Sequence, residues 1–261
     1  MPTTKILKAF KEFYKNRPKQ RFIPGKTYIN YSGFVSNNKE WENIIKCVCK
    51  FWITHSEFSE QFEYRIKRRL KINNAILTNS GSSANLLAIS ALTSINFLDR
   101  RLKDGDEVIV PACCFPTTIS PIVQNRLIPV FLDSQIGTYN IDPLDIEKAI
   151  SKKTKAIIIS HTLGNPVKMD LVMEIAKKHK LWVIEDFCDG LGSKFNGKHI
   201  GTFGDIGTVS FYPAHQISTG EGGALVCRDN SMARIIKSYR DWGRDCHCNP
   251  GDISRCKNRL N

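Results

Sequence analysis

Residues 156–186 read AIIISHTLGNPVKMDLVMEIAKKHKLWVIED. AIIISH (156–161) is a short, apolar, β-branched run, the pattern of a strand buried on both faces. LVMEIAKKH (171–179) carries apolar residues at helical spacing, with basic residues in its last turn. LWVIED (181–186) is a second buried strand, and it ends in a carboxylate. Two such strands joined by a helix lie parallel in one sheet.

The alternation continues on both sides. Upstream, AILTNS (75–80) reads as a strand, SANLLAISALTSINFLDRRL (83–102) as one long helix, and DEVIVPA (106–112) as a strand. TTISPIVQNR (117–126) is a helix, IPVFLD (128–133) a strand, and DPLDIEKAIS a helix capped by Asp142 with Pro143 at its first position. Downstream, GTVSFY (207–212) and ALVCRD (224–229) are strands, and SMARIIKSYRDWG (231–243) is a helix. This is an α/β fold: a largely parallel sheet with helices on both faces. Before it, WENIIKCVCKFWI and FSEQFEYRIKRRL read as two helices. Residues 1–38 are basic and poor in periodicity, so the chain divides into an N-terminal arm (1–38) and one domain (39–261).

Composition narrows the function. With 261 residues, 41% hydrophobic and 24% charged, the chain is ordinary globular material with enough length for a sizeable core. No apolar run approaches the roughly 18–20 residues of a membrane span. The basic start lacks the apolar core of a secretory signal, so a cytoplasmic protein is expected. The net charge of +13 favours anionic partners, yet no zinc-finger spacing, RNA-binding signature or basic heptad region is visible, so nucleic acid is not expected. Nine cysteines, an odd count without an export signal, point to thiol or metal chemistry rather than a disulfide framework.

In parallel sheets, ligands sit at the carboxyl ends of strands. After AILT comes NSGSSAN, small residues opening a helix. Gly81 and Ser82, with free backbone N–H groups and the helix dipole, could hold a phosphate there, or the stretch could simply cap the helix. It is neither a Walker loop nor G-x-G-x-x-G. After DEVIVPA stands Phe115, placed to stack on a flat ligand or to enter the core. After LWVIE stands Asp186, a carboxylate costly to bury unless it meets a cation, for which a protonated pyridine nitrogen would serve. After GTV come Ser210 and His215.

Phosphate cradle, aromatic, carboxylate and basic side chain are the parts of a pyridoxal phosphate site. The motifs FPTT, SHTLGNP, EDFCDGLGS, GTFGDIGTVSFYPA and TGEGG together resemble the DegT/DnrJ/EryC1/StrS sugar aminotransferases. The resemblance covers roughly residues 50–261. It implies the large domain of the aspartate-aminotransferase-like fold (fold type I), a nucleotide-linked keto sugar as substrate, and pyridoxal or pyridoxamine 5′-phosphate as cofactor. The family's aminotransferases carry a lysine, which holds the cofactor as a Schiff base, where this chain has His215. Imidazole cannot form that imine but can exchange a proton near neutral pH. That departure matches the family's nucleotide-sugar 3-dehydrases, in which untethered pyridoxamine phosphate works with a histidine base. Gln216 stands where that motif leads one to expect a second histidine.

Cys188, Cys246, Cys248 and Cys256 follow the pattern C-x57-C-x-C-x7-C. It resembles the ligand set of the [2Fe–2S]-containing branch of that subfamily; a core Cys188 with loop thiols, or a zinc site including His247, is the alternative. Cys47, Cys49, Cys113, Cys114 and Cys227 are expected as buried small hydrophobes.

The resemblance assigns the cofactor phosphate to Ser210, Gly81 and Ser82, ring stacking to Phe115, the pyridine nitrogen to Asp186 and general-base work to His215. The reaction it implies removes the C3 hydroxyl of a CDP-4-keto-6-deoxyhexose, with single electrons relayed from an iron–sulfur flavin reductase. Family members continue for well over a hundred residues with a small C-terminal domain and form dimers. The chain therefore reads as a fragment or a truncated homologue. A sugar aminotransferase, a cluster-free dehydrase and an inactive remnant stay open as alternatives.

Overall fold

The computed structural model describes residues 2–18 and 21–244. Three helices lead the chain: α1 (Pro2–Asn16), α2 (Asn38–Val48) and α3 (Glu57–Leu70). Then follow β1 (Asn74–Thr78), α4 (Gly81–Leu92), β2 (Glu107–Pro111), α5 (Pro116–Gln124), β3 (Ile128–Leu132) and α6 (Pro143–Ala149). β4 (Thr154–Ser160), α7 (Met169–His179) and β5 (Trp182–Asp186) form a parallel strand–helix–strand unit over residues 154–186. A short hairpin of β6 (Lys194–Phe195) and β7 (Lys198–His199) precedes β8 (Ile206–Ser210), β9 (Gly223–Cys227) and α8 (Asn230–Arg240).

Seven strands form one sheet in the order β1-β9-β8-β5-β4-β2-β3. Only β9 runs against the rest, pairing antiparallel with both β1 and β8. The expected parallel sheet is present, with helices on both faces. Ile158 and Ile184 face a core packed by Ala84 and Ala88 of α4, Ile122 of α5 and Ile236 of α8. Their neighbours Ile157, Ile159 and Val183 face Ile146 of α6 and Val172 and Ile175 of α7. Burial on both faces explains why these strands read as unbroken apolar runs.

Besides the unforeseen β6–β7 hairpin and the end of α2 at Val48, short of the expected 41–53 helix, two elements differ from the sequence reading. Residues 2–16 form a helix because Leu7, Phe10 and Tyr14, at i, i+3 and i+7, make one half-buried face. The expected helix over 83–102 stops at Leu92. Ser94 restarts the chain by accepting a hydrogen bond from the Asn96 amide, and a kinked 3₁₀ turn spans Ile95–Arg100. Among the cysteines expected to be buried, only Cys227 is; Cys113 is exposed and Cys47, Cys49 and Cys114 are half-buried. Cys47 on α2 cannot be core, because that helix buries no residue fully, and Cys49 stands at its C-cap, half-buried as well.

Candidate functional site

The carboxyl ends of β1, β2, β4, β5 and β8 open into one cleft of about 820 Å³. Gly81, Ser82, Phe115, Asp186, Cys188, Ser210 and His215 all line it. Residues spread over 135 positions of sequence are thus gathered by the strand order alone. Cys246, Cys248 and Cys256 lie outside the described residues, and among those described no three His, Cys, Asp or Glu side chains gather as metal ligands.

The floor of the cleft is built by close contact between α4 and β8. Ser80 caps α4, its hydroxyl accepting from the Ser83 amide. A Cβ on Gly81 would lie 2.5 Å from Ser210 Cβ, so glycine is what lets the helix N-terminus reach the serine. Gly223, opposite both Thr78 and Ser210 in the sheet, has its missing Cβ filled by the Ser80 carbonyl. The result is a strand-end serine beside the first turn of a helix, a place for an anion.

Asp186, 7% exposed, ends β5 inside the cleft. Its Oδ2 accepts from Asn85 Nδ2 (2.9 Å) and Thr118 Oγ1 (2.8 Å), and its Oδ1 from the Cys188 amide (3.2 Å). Thr208 Oγ1 in turn donates to Asn85 Oδ1 at 2.5 Å, fixing the amide's orientation. All these donors are neutral. A buried carboxylate held this way, with no cation bonded to it among the described residues, suits a cationic group entering from the cleft.

Phe115 is 67% exposed, which removes the core alternative; it stands as N-cap of α5 over the cleft, with Pro116 behind it at the helix's first position. Thr162 also lines the cleft, and its buried hydroxyl has no hydrogen-bond partner among the described residues.

His215 is anchored through its backbone N–H, which donates to the Tyr212 carbonyl at 2.9 Å. Its Nδ1 lies 3.4 Å from Asp189 Oδ1. The hydrogen bond from His215 holds the Asp189 carboxyl below its ordinary range, against the opposing pull of partial burial. Gln216, standing where a second histidine was expected, donates through Nε2 to the Asp189 carbonyl. No lysine lines the cleft among the described residues. Cys188 packs at the carboxyl end of β5, and burial, reinforced by Asp186, pushes its thiol well above the ordinary value.

Sequence reading missed Asn85, Thr118, Thr208 and Asp189. Asn85 had a signal: it sits three residues after Ser82 in an otherwise apolar helix. The others had none, because a threonine within a helix or strand, or an aspartate in a loop, is too common to single out. Also unforeseen is the Glu185–His161 pair beneath the site. Glu185, fully buried, accepts from the amides of Gly201 (2.7 Å), Phe203 (2.6 Å) and Gly204 (2.7 Å) and from His161 Nε2 (3.1 Å). The Val167 amide donates to His161 Nδ1, which fixes the proton of the neutral ring on Nε2.

A family model described as the DegT/DnrJ/EryC1/StrS aminotransferase family matches residues 36–251. The lipopolysaccharide biosynthesis protein RfbH of Salmonella typhimurium is 49% identical over 239 residues, covering 92% of this chain and 55% of the relative. The dTDP-4-dehydro-2,6-dideoxy-D-glucose 3-dehydratase of Saccharopolyspora spinosa is 45% identical over 256 residues, covering 98% of this chain and 55% of the relative. Among solved structures, the E. coli GDP-4-keto-6-deoxy-D-mannose-3-dehydratase with bound hydrated PLP superposes with a TM-score of 0.75 at 35% identity, covering 79% of this chain and 53% of that one. The chain spans about half the length of the curated relatives it matches.

Proposed function

The chain belongs to the DegT/DnrJ/EryC1/StrS aminotransferase family, and on that premise we propose that it serves the pyridoxamine-phosphate-dependent C3 dehydration of a nucleotide-linked 4-keto-6-deoxyhexose in lipopolysaccharide or related deoxysugar synthesis. The observation that carries the reading is His215, which meets the cleft beside Asp189 while no lysine among the described residues lines it.

The residues present fit the cofactor. Gly81, Ser82 and Ser210 form the phosphate cradle, where Ser210 of β8 comes too close to α4 for any side chain at position 81. Phe115 offers its exposed ring to the cofactor plane, and Asp186 awaits the protonated pyridine nitrogen. The unpartnered Thr162 hydroxyl is a further polar group available to a ligand. When bound, pyridoxamine phosphate supplies an amine for the keto carbon and a ring that withdraws electrons from it. Asp189 holds His215 by Nδ1 and so leaves Nε2, unpartnered among the described residues, to take a proton in the cleft and deliver one to the departing C3 hydroxyl.

Cys188, Cys246, Cys248 and Cys256 are the proposed holders of a [2Fe–2S] cluster, which would supply single electrons from an iron–sulfur flavin reductase. The spacing supports this, as does the position of Cys188 two residues from Asp186. The longer form is proposed to be a cytoplasmic homodimer, with residues 1–38 as an arm on the 39–261 domain. No described helix is long and apolar enough to cross a membrane.

Incubation with pyridoxamine phosphate and CDP-4-keto-6-deoxyglucose should release the C3 hydroxyl as water. His215→Asn should slow that step by on the order of 10²–10⁴. An unchanged rate in the variant would remove the base assignment, and amino transfer from glutamate would favour an aminotransferase. An anaerobically reconstituted and dithionite-reduced preparation without a two-iron EPR signal would put the protein in the cluster-free branch.

A further inference from the structure

At the mouth of the cleft, Tyr31 meets Tyr212, with 3.0 Å between the two phenol oxygens. Tyr31 comes from the irregular segment between α1 and α2, 181 residues away, and is 84% exposed. Apart from this bond its side chain makes no hydrogen bond among the described residues, so hydrophobic burial does not explain its position. Tyr212 is tied to the catalytic floor on both sides: its amide donates to Ser210 Oγ at 3.2 Å, and its carbonyl accepts from His215. Glu221, from the glycine-rich loop before β9, lines the same cleft. Its carboxylate makes no hydrogen bond or ion pair among the described residues.

The chemistry of this trio is specific. In a phenol pair one hydroxyl donates to the other, which leaves one O–H and several lone pairs unused. The bond from Tyr31 also pushes the Tyr212 phenol above its ordinary value. Glu221 adds an acceptor and a negative charge to the cleft that Tyr212 lines, and that charge opposes ionisation of the phenol. No lysine or arginine among the described residues lines the cleft. A phosphate would meet a carboxylate there and no cation. A hydroxyl-bearing ring would meet a donor, an acceptor and aromatic faces for its C–H surface.

We propose that Tyr31, Tyr212 and Glu221 form the subsite that binds the hydroxyls of the sugar ring, with Tyr31 a specificity-determining residue delivered by the N-terminal segment. This deepens the reading above and rests on it for the identity of the sugar. The subsite accounts for an exposed tyrosine held, among the described residues, by a single bond to the machinery, and for a carboxylate in the same cleft that none of those residues engages.

The test compares binding of CDP-4-keto-6-deoxyglucose with binding of CDP alone by calorimetry, in the chain loaded with pyridoxamine phosphate. Tyr31→Phe and Glu221→Gln should each weaken the nucleotide sugar by roughly three- to thirtyfold, the worth of one hydrogen bond. Both should leave the affinities for CDP and for pyridoxamine phosphate within twofold. Equal losses for CDP and the nucleotide sugar would move the contact to the diphosphate and overturn the proposal. Unchanged nucleotide-sugar affinity in both variants would overturn it too. Wild-type protein that takes up the cofactor but binds CDP and not the sugar would overturn the subsite alone. One that binds neither CDP nor the nucleotide sugar would overturn the substrate class itself.

Discussion

A single carboxylate decides what His215 can do. Asp189 is held in its charged form because His215 hydrogen-bonds to it, and a depressed carboxyl pKa means an interaction present above the unfolded value and lost as pH falls through the folded one. The pairing should therefore persist below the ordinary carboxylate range. Asp189→Asn should lower turnover and extend the acid side of the pH–rate profile, because the carboxylate whose protonation ends the pairing there is gone, while cofactor affinity by absorbance titration stays unchanged; a profile of unaltered shape would reduce Asp189 to scaffold. Asp186→Asn should act differently. It removes the charge that a pyridinium would meet and gives Asn85 and Thr118 a poorer acceptor, so cofactor affinity should fall roughly ten- to a hundredfold. Both predictions rest on partners the sequence hid. Asp186 and His215 were legible because strand ends in a parallel sheet are where ligands bind. Asp189 was not, since its pairing depends on how the loop after β8 folds back onto the loop after β5.

Between elements, the decisive contacts are backbone approaches that only glycine permits. The first turn of α4 touches β8 through Gly81, and replacing it by alanine would drive a methyl into Ser210. Gly81→Ala should cost about 1–3 kcal/mol in a urea titration and weaken phosphate binding together, because helix and strand must separate at the cradle itself. A second joint is Glu185, whose two oxygens accept three amides of the 201–204 loop as well as His161. Glu185→Gln offers one oxygen where two are needed and turns an N–H₂ toward amide donors. The melting midpoint in denaturant should show a loss of about 2–4 kcal/mol, without change in surface exposed on unfolding. The strands and helices themselves were readable from apolar period, and fold class followed. Helix ends were read less well, as the stop at Leu92 and the missed α1 show, because a single Ser–amide bond or a half-buried face decides them and neither dominates a composition window.

At the scale of the molecule, charge and site disagree. The chain carries +13, yet the cleft is lined by Asp186, Asp189 and Glu221 with no described lysine or arginine. On the proposed reading, anionic ligands are attracted from a distance by the whole surface and held at close range by neutral donors: a helix N-terminus and serines. These two contributions respond differently to salt. The far field is screened over a Debye length of about 10 Å at 0.1 M, while short hydrogen bonds are not. The association rate of pyridoxal phosphate, followed by stopped-flow absorbance, should therefore fall by roughly tenfold between 0.02 and 0.5 M salt. The dissociation rate should change less than twofold over the same range. A dissociation rate that rises in parallel would mean that cations outside the described cleft residues hold the phosphate directly, and the neutral cradle of Gly81, Ser82 and Ser210 would not be the anchor.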